Sequence, residues 1–154
     1  RGILPMFLEN NPNKVIVVNR TDYNLQLLSK IFENDFFEYL NINDFNKKFS
    51  KYDKGQVGFE KFDLIINATS ASISDHRLEI PRKVFLKCPL VVDLFYSLNP
   101  TPFLNLALSS GAKKAIDGLG MLVEQAAESF YIWTNNRPRT KEVMNKIRSD
   151  VEYK

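Results

Sequence analysis

An arginine stands where a run of β-branched residues ends. Val15-Ile16-Val17-Val18 is uncharged and continuous, and it gives way at once to Asn19-Arg20-Thr21. A guanidinium at such an exit is a permanent cation whose planar fork of donors suits phosphate oxygens. Asn19 beside it is neutral and sets no negative charge against an anion. A second run, Leu64-Ile65-Ile66, turns polar just as abruptly at Asn67-Ala68-Thr69-Ser70. In open α/β sheets ligands bind just beyond the carboxyl ends of the strands, so Asn67, Ala68, Thr69 and Ser70 are candidate ligand-facing residues by position. A third feature is the corner Asp117-Gly118-Leu119-Gly120-Met121. Two glycines at a helix start allow the backbone to approach a flat ligand. Met121 can then lie against its ring, and Gln125, one turn on, can bond a ligand hydroxyl.

Other chemistries find no support. His76 is the only histidine and sits in a polar stretch that reads as surface loop. Ser70, Ser72 and Ser74 have no base nearby in sequence, so they are not activated nucleophiles. No His/Cys cluster has metal-ligand spacing, and a metal site is not expected. Cys88 is the sole cysteine and precedes Pro89 beside an apolar run, which reads as a packed thiol. One cysteine forms no internal disulfide and fits a reducing, cytoplasmic compartment. The 154 residues carry a net charge of +3 and are 44% hydrophobic, enough for an ordinary core. The basic residues are scattered, which argues against nucleic acid but suits an anionic ligand. No apolar stretch is long enough to span a membrane.

The elements that would position these residues follow from periodicity. Ile3 to Leu8 reads as the rear of a helix, with a turn at Asn10-Asn11-Pro12-Asn13. Val15 to Val18 reads as a strand buried on both faces. Thr21 or Asp22 can cap the next helix, whose stripe is Leu25, Leu28 and Phe32. Phe37, Tyr39 and Ile42 suit a short strand, and Asp44 to Phe49 a brief helix. Lys51 to Glu60, with Gly55 and Gly58, reads as a loop. Phe62 to Asn67 is a second doubly buried strand, and Ser70 to Asp75 a polar loop. Leu90 to Tyr96 is a third strand. Thr101 can cap a helix with Pro102 at its first position and Gly111 at its end. Lys114 to Ile116 is a very short strand. The long helix that follows carries the stripe Leu119, Leu122, Val123, Ala126, Ala127, Phe130 and Trp133, and a last helix carries Val143, Ile147 and Val151.

Strands alternating with helices predict a parallel α/β sheet. In a dinucleotide fold the exit of the second strand meets the adenosine ribose. An acidic residue there favours NAD, whereas Asn19-Arg20 suits the 2′-phosphate of NADP.

Taken together, these stretches resemble the shikimate dehydrogenases. The similar segments are Arg1-Gly2-Ile3-Leu4, Asn19-Arg20-Thr21, Phe62 to Ser70, Asp93-Leu94-Phe95-Tyr96, Thr101-Pro102-Phe103-Leu104 and Asp117 to Ala127, in the family's order and spacing. The resemblance implies NADPH-dependent reduction of 3-dehydroshikimate to shikimate, a step of aromatic amino-acid biosynthesis. It implies that Asn19, Arg20 and Thr21 bind the adenosine 2′-phosphate, and that Asn67, Ala68, Thr69 and Ser70 line the cofactor path. Leu94, Gly118 and Met121 would flank the nicotinamide, and Tyr96 and Gln125 would reach shikimate. The chain departs from the family pattern at Asn24, where a second Arg is frequent, and at Ser72, where a Gly is usual.

The resemblance also implies what lies elsewhere. The chain opens Arg1-Gly2-Ile3-Leu4-Pro5 without an initiator Met, and reads as the C-terminal part of a longer protein. The expected fold is a Rossmann-like parallel sheet lacking its first strand and glycine-rich loop, followed by C-terminal helices. Residues 1–117 would form the truncated NADP-binding domain, and residues 118–154 the helices that pack on a substrate domain. No catalytic residue is expected here, because the family's Lys and Asp belong to that other domain. The fragment by itself is expected to be inactive. In the strand order 3-2-1-4-5-6 the missing strand separates the Val15–Val18 and Phe62–Asn67 strands. Either those two pair directly or another chain supplies the contact. The apolar stripe after Gly118 would be left open, so a homo-oligomer is expected. Two other readings stay open: a quinate/shikimate-type dehydrogenase, and a non-catalytic nucleotide-binding module.

Overall fold

The computed structural model describes residues 2–50, 61–72, 78–97 and 99–152. The expected loop at Lys51 to Glu60, the rear of the Ser70 to Asp75 loop, Ser74 and His76 lie outside the described residues, as does Arg1. The chain divides into two compact units, Arg1–Val57 and Gly58–Lys154.

In the first unit, helix α1 (Leu4–Asn10) ends at Asn11, whose left-handed backbone (φ 42°) stops it. Strand β1 (Val15–Asn19) pairs in parallel with β2 (Phe37–Asn41), joined by helix α2 (Asp22–Ile31), and α3 (Ile42–Ser50) follows. Parallel neighbours need such a crossover helix. The register sets Val15 opposite Phe37 and Asn19 opposite Asn41. Helices α2 and α3 pack on this sheet. Leu25 and Phe37 are buried, and so are Phe45 and Phe49, whose ring centroids lie 4.6 Å apart on α3. Ile42 heads α3 instead of ending the strand. The uncharged run of β1 is half-buried throughout and not enclosed on both faces. A two-stranded ribbon offers each strand too little neighbouring surface to cover it.

Glu38 on β2 accepts from Lys14 Nζ at 2.8 Å and from Lys48 Nζ at 2.9 Å. Partial burial raises its carboxyl, but the hydrogen bonds and charges of the two lysines outweigh that and hold it below the usual range. Its folded-state affinity for a proton is thus lower than in the unfolded chain. The contribution is present in full above the unfolded range and is lost as pH falls through the folded one. With all three side chains about a third exposed, Glu38→Gln is expected to cost less than about 1 kcal/mol at neutral pH. The difference from the unaltered chain closes on acidification, which denaturant melts at stepped pH would show.

In the second unit, β3 (Leu64–Asn67), β4 (Leu90–Asp93) and β5 (Ala115–Ile116) form a parallel sheet in that order. Strand β3 begins two residues later than predicted, and β4 ends at Asp93 and not at Tyr96. Leu64 is exposed and Ile65 and Ile66 are half-buried, so this strand too is not doubly covered. Among the described residues β1 pairs only with β2 and β3 only with β4, so β1 and β3 do not pair directly.

A 3-10 turn at Arg82–Phe85 and helix α4 (Pro102–Ser109) pack together and, with β4, build the core. Val84, Phe85, Cys88, Val91, Phe103, Leu104 and Ala107 are buried, and the rings of Phe85 and Phe103 meet edge to face at 5.7 Å. Burial pushes the Cys88 thiol up, as the packed reading requires. Helix α4 starts as the sequence predicts, with Pro102 at its first position and the Thr101 hydroxyl accepting from the Leu104 amide. It ends in paired bonds from Gly111 N–H to Leu108 O and from Ala112 N–H to Ala107 O, both 3.1 Å. Gly111 at φ +96° is the residue that permits that closing turn.

Helix α5 (Leu119–Thr134) stops at left-handed Asn135, and α6 (Thr140–Glu152) packs back along it. The predicted stripe of α5 divides. Leu119, Val123 and Ala127 are buried, whereas Leu122, Ala126, Phe130 and Trp133 are exposed, Trp133 to 80%. Among the described residues no helix is long and apolar enough to cross a membrane, and no group of three His, Cys, Asp or Glu side chains could hold a metal ion.

Candidate functional site at the strand ends

At the carboxyl end of β1 two asparagines in register hold the turn. Asn19 Oδ1 accepts the Thr21 N–H at 2.9 Å. Asn41 Nδ2 donates to the Arg20 carbonyl at 3.2 Å and to Asp22 Oδ1 at 2.6 Å, and Asn41 Oδ1 accepts the Asn43 N–H. Thr21 occupies the cap position of α2, but its hydroxyl makes no cap bond. The Asn19 side chain instead braces the turn that leads into α2, through the N–H of the cap residue itself. Arg20 is exposed, and its guanidinium takes no partner among the described residues. The nearest acid in sequence, Asp22, is engaged by Asn41. A cation is thus offered to solvent from a braced backbone. The sequence reading missed Asn41; its signal was an Asn closing a strand parallel to one that also closes in Asn.

The ends of β3 and β4 are joined by a buried polar cluster. Asn67 is 3% exposed, Asp93 0% and Thr101 3%. Asp93 Oδ1 accepts from Asn67 Nδ2 at 3.2 Å and from the Phe95 N–H at 3.2 Å, while Oδ2 accepts from Thr101 Oγ1 at 2.7 Å. The other end of the Asn67 amide, Oδ1, accepts from the Thr69 N–H at 3.1 Å and the Thr69 hydroxyl at 2.8 Å. Thr69 Oγ1 in turn accepts the Ala71 N–H. The side chain of Asn67, expected to face a ligand, therefore turns inward and organises the exit of its own strand. Buried carboxylates demand such partners, because an unpaired charge there is very costly. Ala68, Thr69 and Ser70 are the exposed members of the quartet. Asp93 and Thr101 are the members that sequence reading left out of the site. An Asp closing an apolar strand, with Thr at a helix cap eight residues on, was the available signal.

The third part is the glycine corner. A Cβ on Gly118 would lie 2.0 Å from the Leu94 carbonyl oxygen and 2.6 Å from its carbon. The close approach that glycine permits here is to the neighbouring strand exit. Gly118 is buried, and its N–H donates to the Phe95 carbonyl at 3.2 Å. Leu94 N–H donates to the Asn67 carbonyl at 2.9 Å. Backbone bonds thus stitch the exits of β3, β4 and β5 into one rim. Asp117 Oδ1 accepts the Leu119 N–H at 3.2 Å and Arg148 Nη2 at 2.9 Å, fastening α6 to the corner. Leu94 is half-buried, and Tyr96, Met121 and Gln125 are exposed. Residues 67–70, 94–96 and 118–121 are brought to this rim of the second unit. Asn19, Arg20 and Thr21 stand at the exit of β1 in the first unit.

The strand exit of the first unit can hold an anionic group, and the rim of the second unit can hold a flat or hydroxylated one. Among the described residues neither contains a nucleophile with a base or a metal-binding group. Comparison with known proteins narrows the class. Residues 118–148 match the shikimate 5′-dehydrogenase C-terminal domain. A shikimate dehydrogenase (NADP(+)) of Marinobacter nauticus is 38% identical over 154 residues, spanning 97% of this chain and 51% of that protein. One from Legionella pneumophila (strain Lens) is 41% identical over 150 residues, spanning 97% of this chain and 51% of its own. Among solved structures, an Ael1 enzyme from Pseudomonas putida superposes with a TM-score of 0.78 at 33% identity, over 94% of this chain and 49% of that one. The chain spans about half the length of the curated relatives it matches. Over nearly all of its own residues, then, the chain is related to the shikimate dehydrogenases and shares their Rossmann-like α/β fold.

Proposed function

We propose that this chain is the NADP-binding part of a shikimate dehydrogenase, the enzyme that reduces 3-dehydroshikimate to shikimate with NADPH. One observation carries the reading: Arg20, exposed and unpaired among the described residues, stands at a strand exit braced by Asn19 and Asn41. A guanidinium so placed suits a 2′-phosphate, and Asn19 and Thr21 complete that subsite. NADPH, when bound, supplies the hydride. Exposed Ala68, Thr69 and Ser70 line its path from the sheet edge, with Asn67 setting their backbone from below. Leu94 and Met121 offer apolar surface to the ring, and Gly118 lets the corner close on Leu94. Tyr96 and Gln125 present a hydroxyl and an amide to the hydroxyls of the substrate. The residues that move the proton come from outside these 154. In this reading residues 1–117 serve the nucleotide and residues 118–154 serve the junction with the substrate domain. The exposed Phe130, Ile132 and Trp133 of α5 support self-association into a homo-oligomer. The single buried cysteine supports a cytoplasmic setting.

The test is cofactor discrimination. Arg20→Ala is expected to weaken NADPH binding on the order of 10- to 100-fold, the worth of a charged hydrogen bond. NADH binding should change little. Fluorescence titration of both nucleotides checks it. Equal losses for the two, or no NADPH binding by the unaltered chain, would refute the assignment.

A further inference from the structure

We propose that Asp93 is a positioning residue for the nucleotide rim, acting through Asn67 and the Phe95 amide and held in place by Thr101. The proposal rests on the nucleotide-binding reading above and concerns the same edge of the sheet.

The two oxygens of a carboxylate accept hydrogen bonds. Asp93 is fully buried at the end of β4, directly opposite Asn67 in the parallel register. Asn67 must therefore present its NH2 to Asp93, and Nδ2 donates to Oδ1 at 3.2 Å. That choice forces the amide oxygen the other way, onto the N–H and hydroxyl of Thr69. The turn Asn67–Thr69 thus takes its shape from an acceptor on the neighbouring strand. The same Oδ1 accepts the Phe95 N–H and so bends the exit of β4 where Leu94 and Tyr96 emerge. One oxygen sets both ligand-facing segments.

The second oxygen, Oδ2, accepts from Thr101 Oγ1 at 2.7 Å, and Thr101 is itself anchored by capping α4. This bond stops the carboxylate from rotating about its own axis. Among the described residues the other hydrogen bonds of Thr101, from the Leu104 and Asn105 amides, lie within α4, so Thr101 reaches the rim through Asp93.

The experiment uses amide hydrogen exchange by NMR on the whole chain, with NADPH titration alongside. Thr101→Val keeps the shape and removes the donor to Oδ2. It is expected to speed exchange at Thr69 and Phe95 by at least about fivefold relative to the core amides of Val91 and Val123. NADPH affinity should fall by a similar factor. Thr101→Ser, which restores the hydroxyl, should bring both readouts back to within about twofold. If Thr101→Val does not fold, Asp93→Asn gives the same readout at Thr69. The proposal is overturned if Thr69 and Phe95 keep pace with the core while only Leu104 loosens, for Thr101 is then a helix cap and nothing more. Absence of NADPH binding in the unaltered chain would sink the functional reading separately, and the exchange data would still decide the role of Asp93.

Discussion

Gly118→Ala is expected to destabilise the second unit by about 3 kcal/mol, at the upper end for overpacking. The added Cβ would meet backbone and not a flexible side chain: Leu94 O at 2.0 Å, C at 2.6 Å and Cα at 3.2 Å. Nothing at that spot yields cheaply. Leu94 is tied to Asn67 by its N–H, and the next carbonyl, that of Phe95, is tied to Gly118 itself. Relief requires β4 and the start of α5 to part, which breaks the rim. The neighbouring glycine supplies the control. A Cβ on Gly120 finds nothing closer than the Met144 sulfur at 3.9 Å, an ordinary contact. Gly120 lies inside α5, so Gly120→Ala is expected to stabilise by about 0.5–1 kcal/mol through the unfolded chain. Chemical denaturation of the two variants should move the midpoint in opposite directions. Equal and small shifts would mean that the corner is looser than the distances indicate.

Asp93→Ala is expected to cost about 3–5 kcal/mol, the range for removing one partner of a buried, charged hydrogen-bond set. Among the described residues the Asn67 amide, the Phe95 N–H and the Thr101 hydroxyl converge on this carboxylate, which is 0% exposed. Each buried donor left without an acceptor costs about 1–3 kcal/mol. Asp117 makes the comparison sharp, since it has the same side chain at the end of the next strand. It accepts one backbone amide and one exposed arginine, Arg148, whose side chain is 57% accessible. Asp117→Ala is expected to cost only about 1 kcal/mol, the worth of a local cap plus a screened ion pair. Urea melts that rank Asp117→Ala as the more damaging change would contradict the account of the cluster.

Much of the fold is legible along the chain. The exits of two strands show as an abrupt polar turn after an apolar run, at Asn19 and at Asn67. The cap at Thr101, the proline after it and the closing Gly111 predict helix α4 end to end. Such signals succeed because they depend on bonds within a few residues. Strand lengths are read less well. Tyr96 looked like strand and is not, because the Phe95 N–H turns back to Asp93 instead of extending the ladder.

What the sequence determined by itself is the order of elements, their parallel α/β arrangement and the position of Arg20 at a strand exit. Tertiary structure alone decided three things. It turned Asn67 inward, because the charge that orients its amide lies 26 residues away on a neighbouring strand. It set Gly118 against the Leu94 carbonyl, because only the packed sheet brings those two backbones together. It covered Leu119, Val123 and Ala127 of α5 while leaving Phe130 and Trp133 open, since an apolar stripe states what can be buried and only a neighbour decides what is.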